Sequence, residues 1–136
     1  MKNSKFLILS LIVWVLVGCQ RTETFTVNGT VANAAGEMLY LEHTALTQTS
    51  VVDSCKLDED GTFVLEAPAP AYPDFYCLRI GTQSLPLAVD STETISISTT
   101  RDSLAHTLSI QGSHNSLLMA QLRATARNAS REELRE

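Results

Sequence analysis

Hydrophobic and polar residues alternate along most of the chain after residue 23, which is the period of a β-strand with one buried face. In the first such segment, residues 24–31, Phe25, Val27 and Val31 point to one side and polar residues to the other. Gly29 interrupts this segment and predicts a β-bulge. The same period recurs in segments 38–42, 49–57, 62–66, 75–80, 85–89, 93–98 and 106–110. The pattern predicts an all-β fold, an antiparallel β-sandwich of seven or eight short strands.

Turn residues separate these strands and suggest how some of them pair. Asp58-Glu-Asp-Gly61 is the strongest hairpin signal, because a glycine at its end accepts a positive φ angle. It predicts that segment 62–66 runs back against segment 49–57. Pro86 has no backbone N–H to donate and therefore predicts that its strand lies at a sheet edge.

The period changes to that of an α-helix near the end of the chain. Ser113 is a suitable N-cap residue for this helix. Leu118, Leu122 and Ala126 follow at helical spacing and predict its buried face. Ser130-Arg-Glu-Glu133 has the form of a capping box and predicts that a second helix begins there.

The first residues of the chain have the composition of a lipoprotein signal peptide. Lys2 and Lys5 precede an apolar run, Phe6–Val17, which is too short to span the ~30 Å hydrocarbon core of a membrane. The sequence Leu16-Val-Gly-Cys19 matches a bacterial lipobox. We expect cleavage before Cys19 and attachment of acyl chains to it, which would anchor the protein to a membrane. The other interpretation is a chance cysteine after an ordinary signal or short anchor.

These features predict four segments. Residues 1–18 would be the signal peptide, 19–23 a lipidated tether, 24–112 the β-sandwich and 113–136 a helical tail or linker. The expected location is the Gram-negative cell envelope, facing the periplasm, with the outer membrane favoured over the inner one.

Composition and spacing exclude several classes of function. Ten Lys and Arg against fifteen Asp and Glu give a net charge of −5, and aromatic residues are only 6% of the chain, which argues against a nucleic-acid partner. His43, His106 and His114 share no metal-ligand spacing, and Asp58-x-Asp60-Gly61 lacks the later ligands of a calcium loop. A G-x-S-x-G nucleophile motif is absent. We therefore expect no catalytic residue, no metal and no cofactor.

Two groups of residues are candidates for other roles. Cys55 and Cys77 would remain after lipidation, either as a disulfide in an oxidising compartment or as two buried apolar side chains on different strands. A small redox protein that uses both thiols is a third hypothesis, although the chain has no C-x-x-C motif. Tyr72, Phe75 and Tyr76 lie beside a proline-rich segment and form a candidate binding surface, with core packing as the alternative.

Several segments in order resemble the N-terminal domain of unknown function 4369. They include 25–31, 38–42, 60–63, 75–80 and 110–113, and the similarity covers about residues 24–125. The resemblance implies a β-rich domain of envelope lipoproteins, commonly followed by a helical linker and a thioredoxin-like domain of the thiol-disulfide oxidoreductase or peroxiredoxin-like kind. This chain ends within the linker helix, so its cysteines do not inherit the catalytic role of that domain.

We therefore expect a lipid-anchored, non-catalytic envelope module, the N-terminal accessory domain of a thioredoxin-like lipoprotein whose catalytic domain is not in this chain. Its partners would be the membrane, through Cys19, and a downstream thioredoxin-like domain or an envelope protein. The alternative is a stand-alone lipoprotein that binds a glycan, a peptide or an envelope partner.

Overall fold

The computed structural model describes residues 23–135, so the predicted signal peptide and Cys19 lie outside the described part. Within it, no helix is long and apolar enough to cross a membrane. The elements in chain order are β1 (Thr24–Ala32), β2 (Met38–Thr44), β3 (Thr49–Lys56), β4 (Thr62–Pro68), β5 (Asp74–Ile80), β6 (Gln83–Val89), β7 (Thr94–Thr100), a 3₁₀ helix (Arg101–His106), β8 (Ile110–Gln111) and α1 (His114–Glu133).

The strands form two four-stranded sheets, which confirms the predicted all-β sandwich with a C-terminal helix. Sheet A has the order β4-β1-β7-β8, and sheet B has the order β3-β2-β5-β6. Neighbouring strands are antiparallel except β1 and β7, which run parallel. This pair can be parallel because β2 to β6 lie between them in sequence, and the chain passes through sheet B before it returns. Pro86 lies in β6 at an edge of sheet B, as predicted.

The core lies between the sheets and is built from the alternating apolar residues. Phe25, Leu41, Leu78 and Ile95 are examples, each with 0% of its surface exposed. Removing such a side chain from water contributes about 1.5–3 kcal/mol. The period-two pattern therefore forms one buried face on each sheet, which holds the two layers together.

The Asp58–Gly61 turn forms, but its strands do not make a hairpin. The N–H of Gly61 donates to the carbonyl oxygen and to a carboxylate oxygen of Asp58, at 3.1 Å each. The Gly61 carbonyl in turn accepts from the N–H of Val31, at the end of β1, at 2.9 Å. A Cβ at Gly61 would lie 2.2 Å from the Val31 carbonyl oxygen. The turn thus packs on β1 and directs β4 into sheet A, so the predicted pairing of β4 with β3 is wrong.

Gly29 is not a bulge, because its pairing with β4 and β7 continues without a shift on either side. A Cβ at Gly29, whose φ is 146°, would lie 1.7 Å from the carbonyl oxygen of Ile97 in β7. The glycine is there because the parallel strand approaches it so closely. The register shift of sheet B lies between β2 and β3, at Leu41/Glu42.

The strand predicted over 106–110 is also wrong, since β8 has only two residues and follows the 3₁₀ helix. Leu104 in that helix is fully buried, whereas Leu108 is 49% exposed. The N–H of Thr107 donates to the Leu104 carbonyl at 3.3 Å and ends the helix. The chain therefore forms a 3₁₀ helix that buries Leu104, and the strand predicted from the alternating residues after it is reduced to β8.

Helix α1 begins as predicted, because the Ser113 hydroxyl accepts from the N–H of Ser116. It continues without a break to Glu133, so a second helix does not begin at Ser130. Its buried residues are Ser116 and Ala120, and the predicted apolar face points away from the sandwich, with Leu118 45% and Leu122 63% exposed. The assignment of the buried face from apolar spacing was wrong.

The side of α1 that carries Ser116 contacts the free edge of β6, which explains why a serine is buried there. The Ser116 hydroxyl donates to the carbonyl oxygen of Ala88 at 2.9 Å and accepts from its N–H at 3.0 Å. The Ser113 hydroxyl lies 3.2 Å from the same carbonyl oxygen. An edge strand leaves such backbone groups unpaired unless something covers them. A leucine at position 116 could not replace these hydrogen bonds.

The side chain of Asp53 links an edge strand of sheet B to an edge strand of sheet A. The carboxylate of Asp53, in edge strand β3, accepts from the N–H of Glu66 in edge strand β4 at 2.9 Å. Asp53 therefore pairs a backbone group that the ladder of sheet A leaves free.

We expect Ser116→Ala to lower the free energy of unfolding by about 1–3 kcal/mol, because it leaves the N–H of Ala88 without a partner and leaves its carbonyl oxygen with the Ser113 hydroxyl alone. Ser130→Ala, on the exposed part of α1, is the matched control and should change stability little. Urea unfolding followed by circular dichroism would measure both. Equal stability of the two variants would show that Ser116 does not hold the helix on the edge.

Candidate functional site

The outer faces of the two sheets differ in chemistry. On sheet A, the directly paired residues of β1 and β7 are hydroxyl or amide side chains, such as Thr26 opposite Thr94 and Asn28 opposite Ser96. The Ser96 hydroxyl donates to Oδ1 of Asn28 at 2.8 Å. Such a face is typical of a sheet surface in contact with water.

The outer face of sheet B carries apolar side chains among polar ones, since it also bears Thr44, Thr49, Ser54, Lys56 and Ser84. We call its apolar part the apolar face. Val51 of β3 lies opposite Glu42 of β2, which lies opposite Cys77 of β5, and Cys77 lies opposite Pro86 of β6. Val51 is 52% exposed. The apolar face comprises Met38, Tyr40, Val51, Phe75, Cys77, Pro86 and Ala88, around one ion pair.

That ion pair joins Glu42 and Arg79 at the centre of the apolar face. Glu42 is only 9% exposed and bonds Nε of Arg79. Nη1 of Arg79 donates to the carbonyl oxygen of Gly81 at 3.1 Å, and its guanidinium lies 4.5 Å from the centre of the Tyr40 ring. The arginine is therefore held by a carboxylate, a carbonyl and an aromatic face. The two opposite charges at the centre of this face therefore compensate each other.

A groove borders the apolar face where β2 ends and β5 begins. It has a volume of about 640 Å³ and is lined by His43, Asp74, Phe75 and the turn after β2, which carries Leu46. Leu46 is fully exposed and Phe75 is 55% exposed. The groove therefore offers two exposed apolar side chains beside a polar pair.

The polar pair of the groove is an imidazole bonded to a carboxylate, with Nε2 of His43 2.7 Å from Oδ2 of Asp74. The hydrogen bond with His43 lowers the pKa of Asp74, and the N–H of Phe75 lowers it further. The Tyr76 ring packs beside the imidazole, with 5.0 Å between the ring centres and 49° between the ring planes. Asp74 is thus held as an anion at neutral pH, with part of its carboxylate open to a ligand.

The arrangement lacks an activated nucleophile in the described residues. Ser50 lies opposite His43 in the β2–β3 ladder, but its hydroxyl makes no hydrogen bond with the imidazole. Between residues 23 and 135, no group of three His, Cys, Asp or Glu side chains could hold a metal ion.

The three candidate aromatic residues have different positions. Tyr72 and Phe75 are exposed, at 82% and 55%, and Phe75 lines the groove. Tyr76 is only 6% exposed and packs edge-to-face on Phe25 at 4.7 Å. Its assignment to a binding surface is corrected, because successive residues of β5 face opposite sides of the sheet and Tyr76 faces the core.

The disulfide interpretation is also corrected, since Cys55 and Cys77 are free thiols. Cys55 packs against the core, and Cys77 lies on the outer face of the same sheet. Strand β2 separates their strands, which places the backbones about 10 Å apart, beyond the ~7 Å limit for a disulfide. Burial raises the pKa of both thiols, and the charges of Asp53 and Glu42 add to this. Protonated thiols are poor nucleophiles, which does not favour a redox role.

Of the groove residues, sequence reasoning found Phe75 and missed His43 and Asp74. His43 and Asp74 are 31 residues apart, and no spacing rule connects them. A further signal in the sequence is Leu46, an apolar residue just before a segment of threonine, glutamine and serine.

Fold and surface together define a two-sheet β-sandwich in which a helix covers the β6 edge and one outer face carries exposed apolar side chains. The chain belongs to the family described as Domain of unknown function (DUF4369), which it matches over residues 25–119. This match runs from β1 to the first turns of α1 and confirms the resemblance found in the sequence. No curated protein matches the chain.

We expect the contribution of Asp74 to stability to depend on pH. Its pKa is lowered in the folded protein, so the contribution is complete above pH ~4 and is lost as the pH falls further, through the folded pKa. Asp74→Asn should therefore be less stable than the wild type at pH 6, and the difference should narrow below pH ~4. Urea unfolding at several pH values would measure it. In the control Asp60→Asn, an exposed turn residue, no such narrowing is expected.

Proposed function

We propose that this protein is a lipid-anchored, non-catalytic module of the cell envelope, the N-terminal accessory domain of a thioredoxin-like lipoprotein. The observation that carries the proposal is the surface of sheet B, where the apolar face and the groove are contiguous at Phe75. The core does not use this surface, and a module that presents a docking surface needs one of this kind.

The lipobox supports the anchor. Five residues, 19–23, separate the expected lipidated end from the first strand. A tether of that length reaches at most about 18 Å, so the sandwich would remain close to the membrane surface. An anchored module of this kind acts by holding its surface, and whatever follows it in the chain, at the membrane.

The helix supports the role of an accessory domain. Only the first turns of α1 are buried, at Ser116 and Ala120, and nearly all residues after 127 are exposed. A helix fixed at its start and free beyond is suited to connect the sandwich to a following domain.

A stand-alone binding lipoprotein is the second candidate function, and the groove favours it. Tyr72 and Phe75 are exposed, and the Asp74 carboxylate is partly accessible beside them. A glycan, a peptide or an envelope protein that carries hydrogen-bond donors next to an apolar group would fit these features.

For the anchor, we expect Cys19→Ala to leave an unprocessed precursor that takes up no labelled fatty acid in bacterial cells. Cys77→Ala is the matched control, because it removes a cysteine from the sandwich and should be processed and labelled normally. Labelling of Cys19→Ala at the wild-type level would refute the lipobox.

For the accessory role, we expect the product of this gene in its source cells to be larger than 14.8 kDa on a denaturing gel, detected with an antibody against residues 24–112. The denaturing gel excludes any contribution from self-association. A lipidated species of about 15 kDa or less would contradict the accessory role and favour the stand-alone alternative.

A further inference from the structure

We infer, on the basis of the lipid anchor proposed above, that one end of the sandwich contacts the lipid surface through two loops, residues 45–48 and 69–73. This is the end at which the chain enters β1, and we call it the entry end. Contact with the lipid headgroups and the upper parts of the acyl chains would give the anchored module one preferred orientation on the membrane.

Strand register places the loop after β4 beside the point where the chain enters the sandwich. Thr24, the first residue of β1, pairs with Pro68, the last residue of β4. The N–H of Ala69 donates to the carbonyl oxygen of Glu23 at 2.9 Å. The expected tether, residues 19–23, therefore meets the sandwich next to this loop.

The loop between β2 and β3 lies at the same end. The loop after β4 leads into β5, and β2 is antiparallel to β5, with His43 opposite Tyr76 near the start of that strand. Strand β2 therefore ends where β5 begins. Strand β3 begins there as well, with Thr49 opposite Thr44. Both loops thus project from the entry end.

The large side chains that the entry end exposes are apolar or aromatic. Leu46 is fully exposed, Tyr72 is 82% exposed, and Phe75 near the start of β5 is 55% exposed. Leu46 and Phe75 line the same groove and are therefore close to each other. Neither loop contains a charged residue. Exposed apolar side chains together with a tyrosine are typical of a protein surface that enters the interfacial layer of a membrane.

Two carboxylates adjoin these loops. One oxygen of Asp74 bonds the His43 imidazole and the other accepts from the N–H of Phe75, so protein groups already replace part of its water. Glu23 belongs to the tether, where Arg21 carries the opposite charge. Neither carboxylate therefore prevents contact of the loops with lipid.

Two further carboxylates, Asp90 and Glu93, lie in the turn between β6 and β7. This turn is on the half of the entry end that adjoins α1, since α1 covers the β6 edge. The two apolar loops lie toward the opposite edge strands, β3 and β4. A sandwich tilted toward β3 and β4 would bring the loops to the lipid and leave these carboxylates in water.

The opposite end of the sandwich has the reverse chemistry. It is formed by the turns after β1, β3 and β5 and by the 3₁₀ helix after β7. Apart from Arg101, the charged residues of these turns and of this helix are acidic: Glu37, Asp58, Glu59, Asp60 and Asp102. Carboxylates are costly to remove from water, and anionic lipids repel them. This end is therefore suited to face water.

The length of the tether also selects the entry end. Five residues reach at most about 18 Å, whereas the nine residues of β1 span about 26 Å. If the opposite end rested on the membrane, Thr24 would lie farther from the lipid than the tether reaches. Attachment at Cys19 therefore permits contact through the entry end and opposes contact through the other end.

Fluorescence of a single tryptophan in lipid vesicles tests the inference. Tyr72→Trp places the probe in a loop of the entry end, and Glu59→Trp places it in an exposed turn of the opposite end. Both variants also carry Trp14→Phe, so the introduced tryptophan is the only one, with or without residues 1–18. The full chain is purified from bacterial membranes and incorporated into vesicles of phosphatidylcholine and phosphatidylglycerol whose acyl chains carry bromine close to the headgroups.

We expect bromine to quench the tryptophan at position 72 at least about twofold more than that at position 59, because bromine quenches only at short range and interfacial side chains lie about 5–10 Å deep in the lipid. Both positions are exposed, so thermal unfolding should show that both variants fold. Equal quenching at the two positions, or stronger quenching at position 59, would overturn the inference.

A second pair of variants, made in the Tyr72→Trp protein, tests the neighbouring loop. Leu46→Ser should lower the quenching at position 72 about twofold, because it removes an apolar side chain that holds the entry end in the lipid. Leu108→Ser is the matched control, since Leu108 is also an exposed leucine. It lies away from the entry end, where the adjacent Ser109 carbonyl accepts from the N–H of Ser98. Quenching that is the same in the two variants would contradict the contact.

Failure of the proposed anchor gives a different result. It would appear as absence of fatty-acid uptake at Cys19, which the quenching measurement does not use. A labelled protein without quenching at position 72 would retain the anchor and reject the contact. An unlabelled protein that is quenched there would reject the anchor and support the contact.

Discussion

The hydrogen bonds between Ser116 and the backbone of Ala88 determine how the sandwich is closed. Strand β6 is an edge strand, and its free N–H and carbonyl must find partners or remain bonded to water. One hydroxyl satisfies both groups and fixes the start of α1 against the sheet. Asp53 pairs an N–H on the opposite side of the molecule in a similar way. Helix α1 therefore covers the β6 edge of sheet B, and Asp53 satisfies one backbone group on the β4 edge of sheet A.

The outer faces of the two sheets differ in part. Between β1 and β7, sheet A presents threonine, serine and asparagine to water, whereas sheet B presents valine, methionine and proline beside serine, threonine and lysine around the Glu42–Arg79 pair. Glu42 and Arg79 form an ion pair at the centre of the face, in which Glu42 is nearly buried and the Arg79 side chain is 35% exposed. The groove with His43 and Asp74 adds one anionic carboxylate at the border of the face. The groove and the apolar face are therefore neighbouring parts of one surface.

The cysteines illustrate how a sheet separates residues that a sequence would pair. Cys55 and Cys77 are on strands of the same sheet, yet β2 lies between them and their side chains point to opposite faces. Burial also raises the pKa of each thiol. Neither a structural disulfide nor a redox pair of these two thiols fits this arrangement.

The sequence by itself determined the features that depend on local pattern. Alternation predicted seven of the strands, Pro86 predicted an edge and Ser113 predicted the start of the helix, because each depends only on nearby residues. Tertiary structure decided the rest. Gly29 was needed for the close approach of β7, and Ser116 replaced leucine on the buried face because it meets a free edge. The groove joins residues 31 apart in sequence. Such contacts depend on which strands become neighbours, which the period of a single strand does not encode.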